Sequence, residues 1–322
     1  MSFDQSKYVW KNGEMVPWQQ ATFHVSCHGV HYGTGVFEGI RCYCTDSGPA
    51  IFRLYEHIDR WLASAKVYGM HLPYTREQLA DAVMQVVAAN NFSSCYIRPL
   101  AIYGSDTLGL HPRNTPVEVV IFAWKWGQYL GADAAAKGAH VTISPWRKFS
   151  STAMPATAKA CGQYLNSVLA VRDAVARGFD EAILVGEDGY LAEGSGENLF
   201  LVKDGVLFTN DEKSSVLMGI TRDSVLKMAI DTGMQVCIRK LSLEDLLAAD
   251  EVFMTGTAVE VTFVAAVDGR PIADGRRGPI TSVLQRLFAD VVSGREPRYR
   301  HWLTPVATPV PELNGERVSQ CR

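Results

Sequence analysis

One lysine near the middle of the chain stands in a setting that is unusual for this residue type. Lys159 lies in the stretch Met154-Pro155-Ala156-Thr157-Ala158-Lys159-Ala160-Cys161-Gly162-Gln163-Tyr164-Leu165, with no acidic residue within four positions. Lysines normally lie on solvated faces, and a surface position is the ordinary interpretation of this window taken alone. If the small neighbours enclose the side chain, desolvation disfavours its ammonium form and leaves an amine that can act as a nucleophile. The other motifs of the chain must decide between these interpretations.

An enclosed lysine needs a cleft, and the chain is long enough to build one between domains. Its 322 residues correspond to about two domains. A segment of low information content at residues 132–139 separates two regions that each contain strand and helix patterns. We predict a smaller N-terminal α/β domain at residues 1–130, a connector at 131–138, a larger C-terminal domain at 139–310 and a disordered tail at 311–322.

The charge and hydropathy of the chain exclude some classes of partner. The formal net charge of −3 is not basic enough for non-specific binding of nucleic acid. The N-terminus lacks the pattern of a signal peptide, and no run of 18 apolar residues occurs. We therefore expect a soluble, cytoplasmic protein that binds neither nucleic acid nor a membrane.

Periodic patterns predict a mixture of strands and helices in both domains. Residues 8–16 predict a β-hairpin that turns at Asn12-Gly13, and Thr75 with Gln78 predicts a helix that begins with a capping box. In the first domain further strands are predicted at 21–26, 39–45, 50–54, 94–103 and 117–124, and helices at 55–68 and 75–91. In the second domain strands are predicted at 140–145, 181–185, 235–239 and 251–254, a hairpin at 201–209, and helices at 164–177, 218–233 and 242–249.

Residues 24–39 combine three histidines with four glycines and two aromatic residues. A metal site is the weaker interpretation, because the HExxH arrangement is absent and Glu38 is the only carboxylate in the segment. The glycines, interleaved with Tyr32 and Phe37, favour a loop whose backbone approaches a ligand and whose rings line a pocket. A tightly packed turn is the alternative.

Further along the chain, three groups of residues are suited to bind anions or cations. Arg98 shares a strand face with Tyr96, and a buried arginine requires a carboxylate or phosphate partner, either structural or a substrate. Glu193 lies among small residues between two apolar runs. The helix start at Ile220-Thr221 and the turn at Thr257-Ala258 can offer backbone N–H groups to an anion, although ordinary capping is the alternative for each. No dinucleotide fingerprint and no Walker A sequence occurs.

A nucleophilic lysine, a carboxylate and two backbone anion sites are together what pyridoxal phosphate requires for its aldehyde, its pyridinium nitrogen and its phosphate. With these features the chain resembles the branched-chain amino-acid aminotransferases, which are fold-type IV pyridoxal-phosphate enzymes, over residues 8–306. The motifs that carry the resemblance are His31-Tyr32-Gly33-Thr34-Gly35-Val36-Phe37-Glu38-Gly39-Ile40-Arg41, Tyr96-Ile97-Arg98-Pro99, Ala158-Lys159-Ala160, Glu193-Gly194-Ser195-Gly196-Glu197-Asn198-Leu199-Phe200, Gly219-Ile220-Thr221-Arg222 and Gly256-Thr257-Ala258.

The resemblance implies an α+β fold of the D-amino-acid aminotransferase type, in which pyridoxal 5′-phosphate lies in the cleft between two α/β domains. It implies transfer of the amino group of L-leucine, L-isoleucine or L-valine to 2-oxoglutarate, which gives branched-chain 2-oxo acids and L-glutamate. The partners are therefore small amino acids and 2-oxo acids. No metal is implied, and the oligomer is at least a homodimer, with a hexamer of dimers as a larger alternative.

The resemblance also assigns the cofactor residues. Lys159 is implied as the Schiff-base lysine and, once freed by the substrate, as the acid and base that moves the proton between Cα and C4′. Glu193 is implied to pair with the pyridinium nitrogen and Tyr164 with the phenolic oxygen. The phosphate is assigned to Arg60, Ile220, Thr221 and Thr257, and for Arg60 this replaces the solvated position that its helix alone would predict.

The substrate residues follow from the same resemblance. It implies an apolar pocket lined by Phe37, Tyr164, Trp126, Tyr129 and Ala258, with Tyr32 and Leu110 donated by a second subunit. The α-carboxylate is assigned to Tyr96 and to the Thr257-Ala258 turn, and the γ-carboxylate of glutamate to Arg98.

Three positions depart from the family pattern, and other reactions of the same fold are alternatives. Phe263 stands where the family commonly has proline, and Cys27 and Gly29 flank His28 where other residues are usual. These departures leave the cofactor residues untouched and concern substrate preference. The alternatives are a D-amino-acid or (R)-amine transaminase and, in a different reaction class, an aminodeoxychorismate lyase.

Overall fold

The computed structural model of the chain describes residues 6–126 and 137–307. The chain divides into two units, one formed by Met1–Trp126, Ala158–Gly162 and Asp290–Arg322, the other by Gly127–Thr157 and Gln163–Ala289. This division differs from the predicted domains at 1–130 and 139–310, because the segment around Lys159 and the residues after Ala289 belong to the first unit. The predicted tail at 311–322 and most of the predicted connector lie outside the described residues.

An antiparallel sheet of eight strands forms the centre of the first unit, within the part of the chain described. Its order is β17-β5-β4-β6-β7-β1-β2, and β3 pairs with β6 at its side. The strands are β1 (Tyr8–Lys11), β2 (Glu14–Pro17), β3 (Gly35–Phe37), β4 (Ile40–Thr45), β5 (Gly48–Phe52), β6 (Cys95–Tyr103), β7 (Val117–Trp124) and β17 (Leu303–Pro305). Strand β17 pairs with β5, which explains why a segment from the end of the described chain belongs to this unit.

Among the residues that the structure describes, three α-helices accompany this sheet: α1 (His28–Tyr32), α2 (Leu54–Val67) and α3 (Arg76–Ala89). Helix α3 begins at the predicted capping box, in which Thr75 and Gln78 bond each other's backbone N–H groups. Ile58 and Trp61 of α2 are fully buried in the same core cluster as the inner faces of the strands. Burial of such a side chain stabilises the fold by about 1.5–3 kcal/mol. The predicted helices and most of the predicted strands of this unit are confirmed within a few residues.

The prediction of a strand at 21–26 is wrong. Residues 21–24 are irregular and are followed by a turn. The backbone N–H of Ser26 and its hydroxyl both bond Nδ1 of His24. Such local bonds between a side chain and a nearby backbone group compete with strand pairing. Further along, the predicted loop at 24–39 contains the short helix α1, which ends at Gly33 with a φ of +65°.

A mixed sheet of nine strands forms the second unit, again among the described residues, in the order β10-β9-β8-β15-β14-β11-β12-β13 with β16 beside β15. Strand β8 pairs in parallel with both β9 and β15. The strands are β8 (Ala139–Ile143), β9 (Glu181–Val185), β10 (Leu191–Gly194), β11 (Asn198–Lys203), β12 (Val206–Thr209), β13 (Gln235–Ile238), β14 (Glu251–Gly256), β15 (Glu260–Val267) and β16 (Arg270–Pro271).

Four further α-helices lie wholly within the described residues: α4 (Tyr164–Ala176), α5 (Ile220–Asp231), α6 (Leu243–Leu247) and α7 (Pro279–Val292), the last with its final three residues in the first unit. Helices α4, α5 and α6 lie where the sequence predicts them, whereas β15 and α7 were not predicted. The Glu251 carboxylate accepts the N–H groups of Ile280 and Thr281 at 3.0 and 2.7 Å, which fixes the first turn of α7. No helix in the described part of the chain is long and apolar enough to cross a membrane.

The three departures from the family pattern each have a packing explanation. Phe263 of β15 is buried, and its ring lies against Gly138, where a side chain would collide with it. A side chain at Gly29 would likewise collide with Ile102. The Cys27 thiol donates a hydrogen bond to the carbonyl oxygen of Tyr103 at 3.1 Å. Each of these residues thus fits into the interior of its own unit.

Candidate active site

Lys159 is held in the first unit through its main chain. Its carbonyl oxygen accepts a hydrogen bond from the Phe37 N–H at 3.0 Å, and the neighbouring Ala160 forms an antiparallel bridge with Val36. Its own N–H donates to Oγ of Ser64, a buried residue of α2, at 3.0 Å. Strand β3 and helix α2 therefore fix the backbone of Lys159 from both sides. Lys159 is half-buried, which favours the enclosed interpretation of this lysine over the surface one.

The glycine-rich loop packs against the lysine segment. Gly33 accepts a hydrogen bond from the Gly162 N–H at 3.1 Å. A side chain at Gly33 would meet the Gly162 backbone at 3.0 Å, and one at Gly35 would meet the Cys161 sulfur at 3.0 Å. At these two positions the packed-turn alternative is therefore correct. The backbone of the loop lies close to the lysine segment there, and not to a ligand as predicted.

Burial and neighbouring charges change the chemistry of the Lys159 amine. Burial, followed by the Arg60 guanidinium, lowers its pKa to about 8, and Arg98 acts in the same direction. Glu38 and Tyr96 raise the pKa by smaller amounts. Near neutral pH a much larger share of this amine is unprotonated than of an ordinary lysine, so it is suited to act as a nucleophile and a base.

Glu38 is the centre of a buried charge cluster that the sequence analysis missed. Arg60 donates to both of its carboxylate oxygens, from Nε at 2.7 Å and from Nη2 at 2.8 Å, and Nδ1 of His57 lies 2.8 Å from Oε2. Burial alone would raise the pKa of Glu38, but Arg60 and His57 outweigh it and hold that pKa well below its usual range. Burial lowers the pKa of His57 despite the nearby carboxylate, which raises it.

This cluster fixes the direction of the Arg60 side chain through a bidentate pair. The signal in the sequence was the spacing of His57 and Arg60, which lie three residues apart on one face of α2. A buried acid was needed opposite them, and nothing in the local sequence showed that Glu38 would supply it.

Arg98 lies on β6 among aromatic rings. Its Cζ is 4.6 Å from the ring centroid of Phe37, 5.6 Å from that of Tyr96 and 5.7 Å from that of Trp124. The buried Nε of Arg98 has no hydrogen-bond partner in the part of the chain that the structure describes. The Lys159 Nζ lies 5.0 Å from the same Phe37 ring. One aromatic ring thus contacts both the candidate amine and the candidate carboxylate-binding cation.

The predicted aromatic residues of the first unit also lie together. Tyr96 is buried between Trp124 and Trp126, with ring centroids at 4.9 and 4.6 Å. Any side chain at Gly39 would collide with the Tyr96 hydroxyl, so glycine at this position makes room for that group. The predicted shared face of Tyr96 and Arg98 is confirmed, since strand β7 pairs with both residues along one register.

Tyr32 and Leu110 lie in an exposed apolar cluster near α1. The Tyr32 hydroxyl donates to the carbonyl oxygen of Leu108 at 2.6 Å, which ties the loop after β6 to α1. Tyr32 is 42% exposed and Leu110 is 82% exposed, with Val30 and Leu108 among their exposed neighbours in sequence. Apolar side chains grouped at a surface in this way are typical of an interface.

In the second unit Glu193 is a buried carboxylate with three donors. Its Oε1 lies 2.7 Å from Nζ of Lys148, and both residues are 7% exposed. Its Oε2 accepts the Leu217 N–H at 3.0 Å and the Asn198 amide at 3.3 Å. Asn198 also donates to the carbonyl oxygen of Leu217 at 2.7 Å. These contacts join Glu193 to the segment that leads into α5.

The helix start for which an anion site is predicted, at the beginning of α5, also lies in the second unit. Ile220 and Thr221 are buried in the first turn, and the N-cap residue Gly219 makes no side-chain capping bond. The N–H groups of this turn therefore suit an anion, since the helix dipole favours negative charge there. Thr257 and Ala258 lie in the turn between β14 and β15, next in sequence to Gly256, which lies close to the Gly196 carbonyl oxygen.

The predicted site residues thus form two sets, one in each unit. The first unit brings together Lys159, Arg60, Phe37, Tyr96, Arg98 and Trp126, and it also carries Tyr32 and Leu110. The second unit contains Glu193, Ile220, Thr221, Thr257 and Ala258, together with Tyr164 at the first position of α4. Tyr129 lies outside the described residues.

Comparisons with known proteins identify the family that the chain resembles. Residues 35–267 match the model of the amino-transferase class IV family. A branched-chain-amino-acid aminotransferase of Pseudomonas aeruginosa is 44% identical over 303 residues, which cover 94% of this chain and 98% of that protein.

Solved structures show the same similarity in three dimensions. A crystal structure of the branched-chain amino acid aminotransferase of T.th. with pyridoxamine 5′-phosphate has a TM-score of 0.91 and 50% sequence identity, over 94% of this chain and 100% of that one. The same enzyme complexed with N-(5′-phosphopyridoxyl)-L-glutamate has a TM-score of 0.90 and 48% identity, with the same coverage of both chains.

Proposed function

The chain belongs to the class IV aminotransferases, and we propose that it transfers the amino group of L-leucine, L-isoleucine or L-valine to 2-oxoglutarate. Its fold is that of the fold-type IV enzymes, an α+β architecture, and enzymes of this class use pyridoxal 5′-phosphate. The similar enzyme of Pseudomonas aeruginosa is named for branched-chain amino acids, and the similar crystal structure with phosphopyridoxyl-L-glutamate carries a glutamate group. These similarities support an aliphatic substrate and a dicarboxylic one for the same site.

The observation that carries this proposal is the ring of Phe37, which contacts both Lys159 and Arg98. An enzyme with these two substrates must accept an aliphatic side chain and a carboxylated one beside the same amine. Aromatic rings offer an apolar wall, and Arg98 adjoins that wall with a guanidinium that can bind a carboxylate through two hydrogen bonds. The two kinds of side chain can therefore be recognised by neighbouring groups.

The residues described fit pyridoxal phosphate in three respects. Lys159 supplies an amine whose pKa is lowered to about 8 by burial and Arg60. Glu193 supplies a buried carboxylate for a ring nitrogen, and α5 supplies a first turn without a side-chain cap for a phosphate. When bound, this cofactor supplies an aldehyde that takes up an amino group and a ring that takes up the electron pair left at Cα.

In the proposed reaction Lys159 moves the proton. Its amine would hold the cofactor and, once an amino acid has displaced it, would move the proton from the substrate Cα to the cofactor carbon C4′. A pKa of about 8 suits both directions, because the group neither keeps nor loses its proton completely near neutral pH. The backbone bonds to Phe37 and Ser64 hold the chain fixed while the side chain moves.

The other residues bind and orient. Glu193 holds the proton on the ring nitrogen, and Tyr164 donates to the phenolic oxygen. Arg60, fixed by its bidentate pair with Glu38, binds the phosphate together with Ile220, Thr221 and Thr257. Each of these roles is carried over from the family to the residue of this chain that matches the family motif.

The substrate groups have separate partners in this proposal. Tyr96 and the Thr257-Ala258 turn bind the α-carboxylate, and Arg98 binds the γ-carboxylate of glutamate. The apolar pocket is formed by Phe37, Tyr164, Trp126, Tyr129 and Ala258. Burial of a leucine side chain in such a pocket contributes about 1.5–3 kcal/mol, enough to prefer it over a small side chain.

We also propose that the enzyme is at least a homodimer, in which Tyr32 and Leu110 of one subunit complete the pocket of the other. The exposed apolar cluster near α1 supports this, because it places both residues on a surface with further apolar neighbours. A closed dimer would cover the cluster on both subunits by symmetry.

Half-reactions with single substrates test the proposed function. The absorbance change from the pyridoxal to the pyridoxamine form should follow addition of L-leucine, L-isoleucine, L-valine or L-glutamate. D-Alanine and an (R)-amine should give no change. Conversion of D-alanine without conversion of L-leucine would show a D-amino-acid transaminase, and release of pyruvate from aminodeoxychorismate would show the lyase.

A further inference from the structure

Lys148 is a buried lysine for which the proposed reaction has no role. It follows β8, and its N–H donates to the carbonyl oxygen of Val185 at 2.9 Å, which anchors its backbone at the end of β9. Its side chain is almost fully buried, and its Nζ lies 4.4 Å from the ring centroid of Phe149 and 2.7 Å from Oε1 of Glu193. Lysine is seldom buried unless it is paired, and here the partner is the carboxylate assigned to the cofactor ring.

Stability alone does not account for this ion pair. Two charges removed from water lose hydration energy that their attraction only partly restores, and well-packed apolar residues are often as stable in the same place. A buried pair at the candidate cofactor carboxylate therefore points to a function of that carboxylate.

The contacts of Glu193 show what Lys148 does there. A carboxylate has about four acceptor positions, two on each oxygen. The Leu217 N–H and the Asn198 amide both donate to Oε2, and Lys148 donates to Oε1. The donors in the described residues therefore leave one acceptor position of Glu193 unused, and it lies on Oε1, the oxygen that Lys148 binds. The direction of that position is set by the direction of the Lys148 bond.

We propose that Lys148 is a positioning residue, which orients Oε1 of Glu193 so that its remaining acceptor position binds the ring nitrogen of the cofactor. Leu217 and Asn198 fix one oxygen of the carboxylate, and Lys148 fixes the other against rotation. The inference rests on the proposed pairing of Glu193 with that nitrogen. It assigns Lys148 no contact with the substrate.

Cofactor affinity tests the proposal without reference to turnover. The full-length chain is freed of cofactor, and the dissociation constants of pyridoxal 5′-phosphate and of 1-deazapyridoxal 5′-phosphate, which lacks the ring nitrogen, are measured by equilibrium titration. Lys148→Met should weaken binding of pyridoxal 5′-phosphate about 10- to 100-fold, the effect of a lost hydrogen bond to a charged group. It should weaken binding of the deaza compound less than about threefold.

Conservative and matched variants complete the design. Lys148→Arg keeps the charge and the donor, and it should bind both compounds within about threefold of the unaltered chain. Lys148→Gln keeps a hydrogen-bond donor without the charge and replaces the methionine variant if that variant does not fold. It should also weaken binding of pyridoxal 5′-phosphate more than binding of the deaza compound, but by a smaller factor. Lys240→Met removes an exposed lysine that pairs with Asp188 at 2.5 Å and should change neither constant.

Two results would overturn the proposal. Equal weakening of both compounds would mean that Lys148 supports only the fold. Unchanged or tighter binding of pyridoxal 5′-phosphate would mean that Lys148 acts as a cation competing with the ring nitrogen. The variant Glu193→Gln distinguishes failure of the Lys148 proposal from failure of the proposed function. If Glu193→Gln changes the dissociation constants of both compounds by the same factor, Glu193 does not pair with the ring nitrogen.

Discussion

At the scale of single residues, Lys159 shows how burial and neighbouring charges lower the pKa of a common side chain. Its small neighbours, Ala158 and Ala160, are buried and leave the amine next to Arg60 and Arg98. Two nearby cations and a loss of hydration both disfavour the ammonium form. The lowered pKa is therefore a property of the folded state, and it makes the stability of the protein depend on pH.

The cofactor-free enzyme should gain stability from Lys159 as pH rises from about 8 to 10.5. In this window the unfolded chain, with an ordinary lysine pKa of 10.5, binds more protons at this position than the folded protein with a pKa of about 8. Stability rises with pH wherever the unfolded state binds more protons. The gain has an upper limit of about 3 kcal/mol, since each pKa unit corresponds to about 1.4 kcal/mol.

Denaturant unfolding at several pH values measures this effect. Lys159→Met lacks the titrating group, so the difference in unfolding free energy between the unaltered enzyme and the variant should grow across the window. Comparison with the variant cancels the titration of all other groups. A difference that stays constant from pH 8 to 10.5 would show that the Lys159 amine titrates normally.

Arg98 gives a second prediction at this scale. Arg98→Ala should lower kcat/KM for L-glutamate and 2-oxoglutarate about 10- to 100-fold, because the γ-carboxylate then lacks its partner in a partly buried site. The value for L-leucine should fall less than about threefold. The measurement is kcat/KM for each half-reaction. Arg76→Ala, which removes an exposed arginine paired with Asp59, is the control; equal losses for both substrates would contradict the assignment.

At the scale of elements, α2 connects the core of the first unit to the candidate site. His57, Arg60 and Ser64 follow one another at spacings of three and four residues, so they share a helix face. The first two hold Glu38, and the third accepts the N–H of Lys159. Leu54, Ile58 and Trp61 bury the other part of the helix in the core. A single helix thus fixes both the candidate phosphate ligand and the backbone of the lysine.

Removal of the Ser64 hydroxyl should destabilise the protein by about 1–3 kcal/mol, the cost of a buried N–H left without a partner. The affected group is the Lys159 N–H, so kcat should fall as well. Thermal or denaturant unfolding of Ser64→Ala measures the first effect. Ser282→Ala removes a helical serine whose hydroxyl donates to the carbonyl oxygen four residues earlier, and it should have little effect. Similar small losses for both variants would show that Ser64 does not hold the lysine.

Most elements were predictable because their signals are local. The turn at Asn12-Gly13, the capping box of α3 and the alternation of Tyr96 and Arg98 depend on residues a few positions apart. Glu38 with Arg60 and Lys148 with Glu193 were not predictable, because each pair joins distant parts of the chain. The sequence showed the charged residues, but only the fold determines which of them meet.

At the scale of the whole molecule, long-range pairing also determined which unit each segment joins. Residues 158–162 were predicted in the second domain, since the sequence on both sides of them belongs there. The bridge between Val36 and Ala160 places them in the first unit, beside α2 and β3. Pairing over such a separation leaves no periodic signal in either segment. The family resemblance supplied what local patterns could not, namely the prediction that Lys159 is a site residue.

The proposed sharing of the site between subunits predicts that two inactive variants restore each other. Lys159→Ala removes the amine, and a Tyr32→Ala/Leu110→Ala double variant removes the side chains that a subunit would donate to its partner. Each should be nearly inactive as a homodimer. In a mixed dimer, the subunit with the intact lysine receives intact Tyr32 and Leu110 from the other. That one site is therefore complete.

Random mixing of equal amounts makes half of the dimers mixed, so the mixture should regain about a quarter of the activity of the unaltered enzyme. The measurement is activity after subunit exchange, with sedimentation to verify that dimers form. A mixture of Arg76→Ala with Lys159→Ala is the control, because Arg76 lies outside the apolar cluster. The activity of this mixture should be proportional to its share of Arg76→Ala subunits. If the first mixture shows only the average of its two parents, Tyr32 and Leu110 act within their own subunit and the site is not shared.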